Sequence, residues 1–499
     1  MVDDGASAEP RVPVESLPNH GASTPRGLAR VPRSSVARGR YGRMFRHLRP
    51  LSPSDESLRA LADSMGPFPI PTLTGVGDAE GTKSETEPAA AAAGAIQPGE
   101  NPDLPAGHTY LGQFVDHDIT FDPVSSLERR NDPDALVSFR TPRFDLDSLY
   151  GAGPADSPWL YDQEDPVKLL IGHNTGPHDE PTDLPRNQQG RALIGDPRND
   201  LHVIISQLTL AFLRFHNAVV DHLRDQFLPG AELFDEAQRL TRWHYQWMVI
   251  EDYLRPLVGS EVLDRALVTD AATGARHAQL RFFRWKQDPF MPVEFSAAAF
   301  RFGHSQVRSA YQLNATLDPI HIFLPSFDPN PLQHLGGFRP LPKTWTIDWS
   351  LFFAIGGSAP QLSRRIDTKV TGPMAQLAPV LDAARRPLAL LDLLRGRALG
   401  LPSGEAVATA MGTGVADAGL DLTAPTPLWY YLLREAEVVT EGRRLGPTGA
   451  TIVAEVFVGL LAGDPSSFLR AAPDWAPTLP SAEPGRFTVV DLLRFAGVA

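Results

Sequence analysis

From residue 108 onward, apolar residues recur with helical spacing along most of the chain. In NDLHVIISQLTLAFLRFHNAVVDHLRDQF (199–227), Ile204, Leu208, Phe212, Phe215 and Val219 lie three or four positions apart and predict a buried-face helix. Pro197 with the Asn199/Asp200 pair supplies a helix start just before it. AELFDEAQRLTRWHYQWMVIEDYLRPLVG (231–259) predicts a second helix. The pattern fades between 281 and 345, where Pro, Phe and turn residues predict irregular chain around a site. It returns over 376–412 and 426–462. Strand signals are few and short, and no βαβ alternation, GxGxxG or P-loop supports nucleotide binding. No repeat or composition break divides 108–499. The expected fold is mainly α: a single large α-helical domain with few short strands.

The N-terminal region breaks this pattern. Residues 1–25 are Pro/Gly/Ser-rich and predict a disordered tail. The stretch 26–50 is a basic arm with eight arginines and no acid; it suits an organelle presequence, a nucleic-acid arm, or an arm lying on an acidic body. The net charge of −13 favours the last and argues against nucleic acid as a partner. The domain proper is expected over 51–499, with 81–107 as a flexible loop. The chain has 499 residues, 42% hydrophobic and 21% charged, an ordinary globular composition. Because it contains no cysteine, disulfides, thiolate metal sites and thiol nucleophiles are excluded. Metal chemistry therefore falls to histidine, carboxylate and carbonyl ligands. The N-terminus lacks an apolar signal core and no run approaches 18 apolar residues, so a cytoplasmic protein without a membrane span is expected.

HTYLGQFVDHDITFDP (108–123) concentrates the most chemistry. On a helix, Gln113, Asp116 and His117 stand at i, i+3 and i+4 and share a face. Asp118 points about 200° away from Asp116, so the two aspartates serve different sites. A solvated polar patch is the competing view, opposed by the flanking Tyr110, Leu111, Phe114, Val115, Ile119 and Phe121.

LGQFVDHDITFDP resembles the distal motif of the animal-type haem peroxidases, the peroxidase–cyclooxygenase superfamily. Further segments of that family occur in the same order: TPRFDLDSLYG (141–151) resembles its calcium loop, and GDPRND (195–200) the segment bearing its catalytic arginine. AFRFGHS (299–305) resembles the proximal-histidine segment, and LLDLLRGRALGLPSG (390–404) the segment carrying that histidine's hydrogen-bond partner. LGPTGATIVAEVFVGLL (445–461) resembles a late helix, and the likeness covers about residues 40–498.

The resemblance implies haem b ligated by His304, with Asp392 accepting the other ring N–H. His117 would move the peroxide proton, Arg198 would stabilise developing charge, and Gln113 would orient water or a halide. Arg301 and Arg395 are candidates for the haem propionates. Asp118, Thr141, Asp145, Asp147 and the Arg143 carbonyl would hold Ca²⁺. Hydrogen peroxide and a small reducing donor would be the substrates, by way of a ferryl intermediate, in a response to oxidative stress.

The sequence departs from the family in two places. Mammalian members hold haem by two esters; Asp116 matches one carboxylate, but the other position is Leu201 and the next is His202. At most one ester, through Asp116, is expected, with bromide, iodide, thiocyanate or phenols preferred to chloride. Arg301 stands where the oxygenases carry a radical-forming tyrosine, which disfavours a fatty-acid dioxygenase. A non-catalytic haem- or calcium-binding scaffold is the third reading.

Overall fold

The computed structural model describes residues 39–66, 98–120, 137–138, 141–173, 182–224, 230–286, 288–323, 331–375, 387–413 and 425–499. Among them helices dominate, and the strands are of two to six residues in small sheets. The expected mainly α fold is what the chain adopts.

The Val203–Arg224 helix is the spine of the core. Ile204, Leu208, Phe212, Phe215 and Val219 are all buried, as their spacing predicts, but so is nearly every other side of the helix. It packs on the Gly230–Met248 helix on one side and the Ala106–Ile119 helix on another. Phe114 of the latter stacks on Phe212 with centroids 4.2 Å apart, and Tyr245 meets both rings edge-on. Such ring pairs contribute about 0.5–1.5 kcal/mol each beyond their buried area. Among the described residues this helix is also long and apolar enough to cross a membrane, but 83% of that window is buried inside the fold. A helix apolar on all sides can satisfy the hydropathy criterion simply by lying at the centre of a large core.

The second predicted helix is present with one irregular turn. After Met248 the backbone widens into a π-helix over Val249–Leu254 and closes again over Arg255–Val258. Pro256 lies just beyond and lacks the N–H that a regular i→i−4 ladder would use. The widened turn carries Tyr253, which reaches the Ala106–Ile119 helix at Gly112. A Cβ at that glycine would lie 2.2 Å from the Tyr253 hydroxyl, so only glycine allows the approach.

Three expectations change in detail. Pro197, Asn199 and Asp200 do not open the spine helix; they form a 3-10 turn capped by Asp196, and the α-helix begins at Val203. The flexible loop expected over 81–107 ends early. Glu100–Pro105 is a strand paired antiparallel with Leu362–Arg364, and the next helix starts at Ala106. A proline-bounded polar segment looks like a loop locally; its pairing partner lies about 260 residues away and only the fold supplies it. Last, the domain begins before residue 51. Gly39–Gly42 pairs with Val137–Ser138 and with Met291–Pro292. The buried Glu294 carboxylate accepts from the backbone N–H groups of Met44 and Phe45, each at 3.1 Å. Two arginines of the arm meet carbonyls and a ring: Arg43 donates to the Leu399 and Gly400 carbonyls, with Glu294 also near enough to feel its charge, and Arg46 lies over Phe290. The tail 1–25 and the arm up to residue 38 lie outside the described residues.

Candidate active site

The helix Ala106–Ile119 is buried along its length except at Gln113 and Asp116, which are only partly covered. Those two residues open onto a partly enclosed cleft. The other wall comes from the 3-10 turn Ala299–His304 and the chain just after it, with Arg301, Gly303, His304 and Gln306 in the lining. Tyr253, Phe300, Phe302, Val307, Ile322, Phe323 and Met374 make the remaining surface mostly apolar. His202, at the start of the spine helix, completes the polar side.

His304 is held from behind. Its Nδ1 lies 2.6 Å from Asp392 Oδ2 on the Leu388–Ala398 helix. Burial opposes ionisation of Asp392, but His304, Arg301 and Arg395 outweigh it and keep the carboxyl below its ordinary value. The carboxylate therefore accepts Nδ1–H, which leaves Nε2 as the nitrogen with a lone pair. Arg301 also donates through Nε to the Ser296 carbonyl at 3.0 Å.

His117 is completely buried and is not part of the cleft lining. Its Nδ1 lies 2.8 Å from Asn199 Oδ1, an acceptor, so the proton sits on Nδ1 and Nε2 is basic. Burial, reinforced by Arg198, lowers its pKa to about 4, so the ring is neutral at neutral pH. Arg198 does not line the cleft either. Its guanidinium donates to the carbonyls of His117 (2.9 Å) and Thr120 (2.6 Å) and pairs with Asp196 at 2.7 Å. Here it braces the C-terminal end of the motif helix, where a cation complements the last carbonyls. Asp200, on the same 3-10 turn, pairs with Arg186, which also grips Asp183.

Asp118 faces away from the cleft, as helix geometry requires. Its carboxylate accepts from Leu146 N–H at 3.3 Å and Ser148 Oγ at 3.2 Å. Ligand atoms of Asp118, Asp145 and Asp147 all lie within 4.8 Å of one another. Thr141 Oγ1 donates to Asp145 Oδ2 at 2.6 Å, and Leu146 between the two acids adopts a left-handed φ of 57°. The Arg143 side chain turns toward Asp464, 4.0 Å away.

The structure thus brings Gln113, Asp116, Arg301 and His304 to one cleft, with Asp392 and Arg395 behind His304. His117 and Arg198 lie just outside the lining, and the acids of 118–147 form a separate cluster. Asn199, His202, Tyr253 and Gln306 are additions to the expected site, of which Asn199 had been read only as part of a helix start. The one hint along the chain was the imidazole of His202 at the polar start of an otherwise apolar helix.

The chain belongs to the animal haem peroxidase family, whose model matches residues 127–427. The distal motif at 108–118 lies just before that span. Curated relatives include the dual oxidase of Drosophila melanogaster, 27% identical over 223 residues, covering 42% of this chain and 13% of that protein. The thyroid peroxidase of Sus scrofa is 25% identical over 302 residues, 54% of this chain and 30% of that protein. The chain therefore spans well under half the length of these relatives. Among solved structures, peroxidase A from Dictyostelium discoideum shares the fold with a TM-score of 0.57 at 13% identity, over 91% of this chain and 92% of that one. A fatty acid alpha-dioxygenase from Arabidopsis thaliana does so with a TM-score of 0.55 at 15% identity, over 86% and 74%. At these identities the two structures speak to fold alone.

Proposed function

We propose that the chain is a haem-dependent peroxidase that reduces hydrogen peroxide and oxidises small donors. The observation that carries this reading is His304, held by an ionised Asp392, in the wall of the same cleft onto which Gln113 and Asp116 open. The cleft fits haem on two counts. Its surface is apolar with a few polar groups, as in a cofactor site. In addition, Gln306 Nε2 is buried in this region without a protein partner among the described residues, as expected where another group completes the site.

His304 would ligate the iron through Nε2, and Arg301 would pair with a propionate. When bound, haem supplies the redox centre at which peroxide is reduced and donors are oxidised. The protein's own part is proton handling and positioning. His117 is neutral, with Nε2 as its basic nitrogen, and Asn199 fixes that tautomer, so it is suited to take a proton from peroxide and return it. Arg198 holds the end of the helix that carries His117 and, after burial, helps keep the ring from protonating early. Asp116 lines the cleft with Oδ1 hydrogen-bonded to Thr120 Oγ1 at 3.0 Å, and is the carboxylate for a single ester link. Leu201 offers no second one. With fewer links, bromide, iodide, thiocyanate or phenols are the expected donors rather than chloride. The Asp118/Asp145/Asp147 cluster with Thr141 offers hard oxygen ligands for Ca²⁺, which would clamp the motif helix to the 141–150 loop.

The test is reconstitution with haem, a Soret spectrum, and guaiacol and bromide oxidation with peroxide. A Soret band with turnover supports the reading. A band without turnover favours a binding scaffold, and product from linoleate and O₂ alone favours an oxygenase. No haem uptake rejects the reading. Acid extraction followed by mass spectrometry decides the ester, and haem held at two points would overturn the single-link expectation.

A further inference from the structure

We propose that residues 41–55 form a strap that positions the His304–Asp392 pair: it ties together the two elements carrying those side chains and walls the cavity behind Asp392. As a statement about an iron ligand this rests on the peroxidase reading; as a statement about a buried hydrogen bond it does not.

The strap reads YGRMFRHLRPLSPSD, with proline at 50 and 53. Each proline disfavours helical backbone in the residue before it and withholds an N–H, so no helix forms until Ser54 caps Asp55–Ser64. One set of contacts grips the His304 side. Tyr41 and Gly42 pair with Met291 and Pro292, and the Met44 and Phe45 N–H groups donate to Glu294. Glu294 stands on the short helix Val293–Ser296, which leads into the His304 turn. Phe295 of that helix stacks on Phe300 of the turn with centroids 4.9 Å apart, and its Ser296 carbonyl accepts from Arg301.

A second set grips the Asp392 side. The helix Leu388–Ala398 ends into Gly400, whose φ of 62° is a left-handed conformation that suits glycine. Arg43 donates to the carbonyls of Leu399 at 2.5 Å and Gly400 at 2.9 Å. Leu51 N–H donates to the Leu401 carbonyl at 2.8 Å, and Arg397 reaches back to the Pro53 carbonyl and the Asp55 carboxylate. Leu51 and Pro53, with Leu401, Pro402 and Trp429, also wall a small cavity that Asp392 lines. Trp429 Nε1 donates to the Arg301 carbonyl at 3.2 Å, so this wall touches both elements. A hydrogen bond to a carboxylate is stronger where water is kept away and the local dielectric is low. Loosening the strap lets the two elements drift and admits water to Asp392, which weakens the 2.6 Å bond to His304 with both partners still in place.

The first measurement needs no haem. In ¹⁵N-histidine-labelled apoprotein at neutral pH, solvent exchange of the His304 Nδ1 proton is followed, the signal being assigned by its absence in His304→Ala. Arg43→Met should speed this exchange about tenfold, as expected for one lost hydrogen bond of a charged group. Arg43→Lys keeps a cationic donor for the carbonyls and should recover most of the loss. Arg46→Met, which removes only the cation over Phe290, should change nothing. The His244 Nδ1 proton, donated to the Leu240 carbonyl at 2.7 Å, reports general loosening in the same spectrum. Leu51→Ala opens the cavity wall without removing a charge and should act in the same direction, which keeps the test available if Arg43→Met does not fold. Unchanged exchange at His304, or equal acceleration at His244, overturns the proposal. The second measurement uses reconstituted ferrous protein and resonance Raman. The iron–histidine stretching frequency should fall in Arg43→Met in the direction of Asp392→Asn and by less, and an unchanged frequency overturns the proposal. Failure of haem uptake by the wild-type chain would sink the peroxidase reading and leave the exchange measurement to decide this one.

Discussion

Replacing Asp392 probes the proposed proximal side most directly. The acceptor lies 2.6 Å from His304 Nδ1, both side chains are largely covered, and the carboxyl is ionised despite its burial. A hydrogen bond to a charged group in such a place contributes about 1.5–3 kcal/mol, and a neutral one about 0.5–1.5. Asp392→Asn keeps an acceptor of the same shape and loses the charge, a difference of about 1–1.5 kcal/mol. Haem held through His304 should then leave about tenfold faster. Asp392→Ala also strands a buried N–H, and a loss nearer a hundredfold is expected, within the range for groups that orient a metal ligand. The midpoint potential should rise in both, because Arg301 and Arg395 lose the anion between them. The assay is haem transfer to an excess of a scavenger protein, with potentiometry on the same samples. Wild-type release rates in both variants would refute the reasoning. Wild-type release from Asp392→Asn with fast release from Asp392→Ala alone would show that shape, not charge, holds the ring.

Three further outcomes are expected. Because His117 is depressed to about 4, its proton-accepting form is present above that pH and lost only as pH falls through it; the stopped-flow rate with peroxide should be level from about pH 5.5 to 8, and a limb near the ordinary histidine value of about 6.5 would contradict the buried, neutral ring. Arg186→Met strands the buried Asp183 and the buried Asp200 of the Arg198 turn, and should cost about 3–5 kcal/mol in urea unfolding; a loss under about 1 would mean the network is not structural. Calcium at about a hundred times its Kd should raise stability by about 2.7 kcal/mol in thermal melts and not in Asp145→Asn, and equal responses would remove the cation from the acidic cluster.

Much of the fold was legible because it rests on local periodicity. The spacing of Ile204, Leu208 and Phe212 specifies a helix whatever it packs against, and so does 231–259. The two faces of QFVDHD were legible for the same reason: about 100° per residue sends Asp116 and Asp118 to different neighbours before any neighbour is known. The strand Glu100–Pro105 was not legible, because its partner is Leu362–Arg364. The widened turn at Tyr253 was also missed, since a helical pattern with one extra residue per turn looks regular over short windows.

Sequence alone determined the helical class, the order of the motifs, the absence of thiol chemistry and which side chains could share a helix face. Tertiary structure decided what each polar atom does. Arg198 turns to the carbonyls at the end of a helix some 80 residues earlier rather than into the cleft. His117 Nδ1 meets Asn199 Oδ1, and Gln113 Oε1 meets His202 Nε2, each at 2.8 Å. Periodicity is a property of neighbours along the chain, whereas the direction of a hydrogen bond is set by whichever donor or acceptor the fold brings to it.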